Sequence, residues 1–190
     1  MLCPRQCDAD RNTDMWKVTV ASVRNATRMR HLVRGAGLPV CLLLIAGPAL
    51  AQSSVPDPTR TPGALNPDVT QDTIASTICV RGWTATVRPP EAYTHGLKHR
   101  QIAAFGYADR RIASYVEDHL VPLSLGGAPY DPRNLWPQPR VADDGWTSDM
   151  KDELEAVLPR LVCAGKLSLD EARRAIAADW RQAYRRCVAP

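Results

Sequence analysis

Apolar positions recur at helical spacing through the last part of the chain. Leu169, Ala172, Ile176, Trp180 and Tyr184 trace one stripe, and Ser168 and Glu171 stand at capping-box spacing in front of it. The pattern predicts a continuous helix over 168–186. Its stripe of Trp and Tyr packs into the core, and Arg173, Arg174, Arg181, Arg185 and Arg186 lie mostly off that stripe on a solvated face. Met150, Leu154, Val157, Leu158 and Leu161 mark a second helix behind Thr147 as N-cap, kinked or ended by Pro159 and closed by Gly165. Residues 91–105 set Leu97, Ile102, Ala103 and Phe105 among Lys98, His99, Arg100 and Gln101, an amphipathic helix that ends at Gly106. Between these helices the pattern turns extended. Residues 115–123 read as a strand, Gly126-Gly127 with Pro129, Asp131 and Pro132 as a return loop, and Asn134-Leu135-Trp136 as the start of a second strand stopped by Pro137 and Pro139. Residues 77–80 and 83–87 are β-prone and read as short strands or extended arms.

The N-terminal third has a different character. Residues 36–51 form an apolar run preceded by Arg28, Arg30 and Arg34 and closed by the small residues Ala49 and Ala51, the layout of a secretory signal peptide cleaved after Ala51. The strongly apolar part is shorter than the roughly 20 residues a spanning helix needs. The expectation is a periplasmic or extracellular protein with no membrane segment in its mature form. Residues 52–70 are rich in Pro, Ser, Thr and Asn without apolar periodicity and read as a flexible leader. The predicted organisation is therefore 1–51 for extension and signal, 52–72 for leader and 73–190 for one α+β domain. Seven of the 24 Lys and Arg but three of the 20 Asp and Glu precede residue 52, so the mature chain carries 17 of each and no net charge. A basic balance that would by itself indicate a nucleic-acid partner is missing, and any functional reading must come from a site.

Such a site is suggested by Glu117-Asp118-His119, followed by Pro122, Gly126-Gly127, Asn134-Leu135 and then a helix. This ordered set resembles the HNH, or ββα-metal (His-Me finger), endonuclease family, and the stretch from Thr77 to Trp180 is similar to small exported bacterial proteins grouped with it. The resemblance implies a ββα-metal finger packed against additional helices and a metal-dependent endonuclease that hydrolyses DNA, with RNA as the alternative. It makes His119 the general base, Asp118 a ligand of one divalent ion (Mg²⁺, or Mn²⁺), and Asn134 the residue that orients the base and its loop. The chemistry is consistent: imidazole titrates near neutrality, and carboxylate oxygen suits a hard cation. Adjacent strand residues point to opposite faces, so Asp118 and His119 can share a site only where the strand bends or ends.

The chain departs from the pattern where the family carries a His or Asn on the helix, because no His follows His119. Ser148, Asp149, Lys151, Asp152 and Glu155 are the candidates there. Asp152 is the favoured second metal ligand and Lys151 the favoured phosphate contact, while a plain charged helix start explains the same residues. Cys79, Cys163 and Cys187 follow the signal, in a compartment where disulfides form. A continuous helix over 168–186 would span about 28 Å, too far for Cys163 to reach Cys187, so Cys79 with Cys163 is the preferred bridge and Cys187 is left over. Wide Cys and His spacing excludes a redox or metal-storage protein. Two readings remain: the nuclease, and a catalytically inactive module on the same scaffold that binds envelope material or a protein partner.

Overall fold

The computed structural model describes residues 52–189; the extension and signal peptide expected over 1–51 lie outside them. The described residues are mixed helix and strand: α1 (Trp83–Val87), α2 (Glu91–Ala104), β1 (Tyr115–His119), β2 (Leu135–Pro139), α3 (Ser148–Cys163) and α4 (Leu169–Cys187). No described helix is long and apolar enough to cross a membrane.

The strands pair antiparallel, with Tyr115 opposite Pro139 and His119 opposite Leu135. Pro137 and Pro139 were expected to stop β2, yet it runs through both. The backbone direction explains this. The Asn134 carbonyl accepts from Leu120 N–H and the Arg140 N–H donates to the Ser114 carbonyl, so even-numbered residues of β2 face β1. Pro137 and Pro139 therefore place their missing donors on the outer edge, where no ladder bond is lost. On that same edge the Leu135 carbonyl takes the Gln101 amide of α2 at 2.9 Å.

The return loop requires both glycines. Gly126 sits at φ +72°, and a Cβ there would meet the Arg173 guanidinium at 2.4 Å. At Gly127 a Cβ would meet the Val121 carbonyl oxygen at 1.8 Å. This is a close approach that only glycine permits.

Helix α3 begins where expected, with the Thr147 hydroxyl accepting from Met150 N–H. Pro159 does not end it. The helix runs four residues further to Cys163, held by Leu154, Leu158 and Val162, which are buried against Ile176 and Trp180 of α4, and by the Cys79–Cys163 disulfide. The capping box at Ser168 and Glu171 forms. α4 is not one continuous helix, because Asp179 leaves helical geometry and its carboxylate accepts three hydrogen bonds from Arg181. Cys187 is itself disulfide-bonded, so it is not left over.

Three further expectations are corrected. Residues 83–87 form a short helix and 77–80 a run of turns, since extended segments need a partner strand and none among the described residues pairs with them. Residues 52–72, expected as a flexible leader, pack along the domain. The Ser54 carbonyl accepts the buried Trp180 indole N–H at 2.7 Å, Val69 is buried in the core, and Leu65 bridges Gly127. The stretch is anchored by residues far along the chain, from the glycine loop to α4. Finally, Arg173 is not solvated: it is buried and donates to the carbonyls of Leu125, Val69 and Gly126, joining α4 to the glycine loop and to the N-terminal segment.

Candidate active site

His119 is the last residue of β1 and is buried. Its Nε2 lies 3.0 Å from the Pro129 carbonyl. A carbonyl only accepts, so Nε2 carries the ring proton and Nδ1 keeps its lone pair. Burial pushes the imidazole below its ordinary range, and the positive charges of Lys151 and Arg88 push the same way, against the Pro129 bond and Asp118. The ring is neutral near pH 7 with one tautomer selected, the state a general base needs.

Asn134 fixes the loop that supplies this carbonyl. It is fully buried, its Oδ1 accepts from Val121 N–H at 2.9 Å, and its Nδ2 donates to the carbonyls of Val121 at 3.0 Å and Ala128 at 3.2 Å. It thus clamps both ends of the loop between β1 and β2, next to Pro129. Its contacts are all backbone, so its place in the site is to hold the loop.

Asp118 points away from the His119 ring, as strand alternation requires, and meets α3. Its Oδ2 accepts from the Lys151 ammonium at 2.6 Å. The same ammonium donates to the His119 carbonyl at 2.9 Å and to the Glu155 carboxylate one helical turn on. Lys151 is fully buried. Burial opposes its charge, but Asp118 and Glu155 overcome that and hold it above the ordinary lysine range. One ammonium serves two carboxylates, so burial pushes Glu155 up despite its ion pair. The expectation that Lys151 touches substrate phosphate is therefore corrected: all three of its N–H groups are directed at protein oxygens, and its tip is closed to solvent.

Asp152, expected as the second metal ligand, is exposed on α3. Although the residue as a whole is exposed, the protein around its carboxyl strips some of the water and, with the charge of Asp118, raises it, which places it in the same electrostatic neighbourhood as Asp118. The donor set nevertheless does not fit a divalent ion at Asp118: the carboxylate is already engaged by an internal cation, and no three His, Cys, Asp or Glu side chains among the described residues are grouped to hold a metal. A hard cation such as Mg²⁺ asks for several oxygens at about 2.1 Å.

Two further residues near the site carry no role in the sequence reading, Arg88 and Glu117, although Glu117 belongs to the stretch that drew attention to it. Arg88 is exposed at the end of α1 and close enough to His119 to disfavour a proton there; nothing in a run of Thr, Val and Pro marks it. Glu117 has both carboxylate oxygens buried without a hydrogen-bond partner. Burial, with Asp118 adding to it, pushes this carboxyl up to about 8, so it is mostly protonated at neutral pH. The chain matches no family model, no curated protein and no solved structure.

Proposed function

We propose that this chain is an exported phosphodiester hydrolase acting on nucleic acid, DNA first and RNA as the alternative, built on a ββα finger made of β1, β2 and α3 with His119 as general base. The observation that carries the reading is the His119–Pro129 bond, which leaves Nδ1 as the ring's proton acceptor. In the reaction Nδ1 takes a proton from the attacking water as its oxygen bonds to phosphorus. The bond from phosphorus to the leaving sugar oxygen breaks and that oxygen takes a proton from solvent, and Arg88 is the cationic side chain that meets the non-bridging phosphate oxygens. Asn134 keeps the 121–128 loop, and through it the Pro129 carbonyl, in place. No step runs through a metal at Asp118.

A second reading is favoured by Lys151. An internal ammonium where the family resemblance expects a metal is what a scaffold that has given up hydrolysis would carry, the exposed face then serving to bind a partner. Cleavage of plasmid DNA and of a structured RNA, each in Mg²⁺ and in EDTA, separates the two. The hydrolase reading expects cleavage that His119→Ala reduces by about 10²- to 10⁴-fold, the usual contribution of a positioned base. Absence of cleavage on both substrates in every condition would leave the binding module as the correct reading.

A further inference from the structure

The oxygens around Lys151 Nζ are the donors of a hard-cation site: a side-chain carboxylate and a main-chain carbonyl from the end of β1, Asp118 Oδ2 and His119 O, and the Glu155 carboxylate from the facing turn of α3. A lysine and glutamate four apart on a helix ordinarily make a solvated surface pair. This pair is different, because the whole lysine side chain is buried and the ammonium also bridges to the strand. Burying an ammonium is costly unless oxygens replace its water shell, and here three do. We propose that Lys151 is the resident cation of this site and that the chain binds no divalent metal ion between Asp118 and α3.

Ammonium and metal cannot share the centre. A divalent ion among Asp118 Oδ2, His119 O and the Glu155 carboxylate would occupy the place of the Lys151 ammonium, and the lysine stem is enclosed by protein on all sides, so the charge has no other position to take. The inference concerns what fills the cradle and holds whether or not the chain hydrolyses phosphodiesters.

The test is a Mn²⁺ titration of the full, disulfide-bonded chain followed by electron paramagnetic resonance, with three proteins. Wild type is expected to show no saturable Mn²⁺ site that depends on Asp118. Lys151→Met, which keeps the apolar stem and removes the charge, is expected to gain one saturable Mn²⁺ site, and Asp118→Asn in that background to lose it. A stoichiometric site in wild type that Asp118→Asn removes would overturn the proposal. So would a folded Lys151→Met protein that binds no Mn²⁺, because the cradle would then not be a cation site. Should Lys151→Met fail to fold, the wild-type ammonium resonance of Lys151 decides. A slowly exchanging signal unmoved and unbroadened by Mn²⁺ supports the proposal, and a broadened or displaced one refutes it.

Discussion

At the scale of single residues, the structure separates groups that hold the loop from groups that hold charge. Asn134 satisfies three buried backbone groups with one amide. Its replacement by alanine leaves Val121 N–H and two carbonyls unpaired in the interior, a loss of about 3 kcal/mol at the usual cost of abandoned buried groups. Urea unfolding measures this, and a loss under about 1 kcal/mol would mean that the loop finds other partners. Glu117 gives a prediction in pH. Its folded carboxyl is raised from 4.5 to about 8, so the folded state binds the extra proton. The associated stability is complete below about pH 4.5 and is lost as pH rises through about 8. Glu117→Gln cannot ionise, so its melting temperature relative to wild type should climb steadily across that window; a difference that is flat in pH would show that Glu117 is solvated. Asn134 and His119 stand out in the sequence through the ordered set that resembles the HNH family, and in the fold Asn134 binds the loop backbone while His119 meets the Pro129 carbonyl. Lys151, expected as the phosphate contact, is an interior cation; a polar residue between apolar helical positions gives no sign of which way its long stem turns.

At the scale of elements, caps and stripes were legible and terminations were not. The Thr147 cap, the Ser168 capping box and the apolar stripe of α4 are properties of a few neighbouring residues and appear where expected. Pro159 inside α3, the two prolines inside β2 and the break at Asp179 are decided by what packs against them. A proline removes one donor, and whether that matters depends on which way the donor would have pointed. The Cys79–Cys163 bridge joins the segment before α1 to the end of α3 across 84 residues. On a chain-entropy account, replacing both cysteines by alanine should cost about 4 kcal/mol. Denaturant unfolding of the double variant beside the oxidised parent checks this; unchanged stability would mean that the α3 end is held by packing alone.

At the scale of the whole molecule, the N-terminal segment belongs to the fold. A chain starting at Thr73 would lose the Ser54 carbonyl that accepts the Trp180 indole, the Val69 side chain in the core and the Val69 carbonyl bound by Arg173. These losses together should lower stability by at least about 3 kcal/mol. Thermal melts of chains starting at Gln52 and at Thr73 give the comparison, and equal melting temperatures would return 52–72 to the status of a leader. The sequence by itself determined the helix caps, the apolar stripes and the glycine loop. Each depends on contacts of short range or on a steric rule attached to one residue type. Only the tertiary structure decided that residues 52–72 are part of the domain, that Arg173 and Lys151 are interior cations, and that Asp118 faces an ammonium. Those outcomes turn on which distant carbonyls and carboxylates meet a buried charge, and residue spacing along the chain carries no record of that.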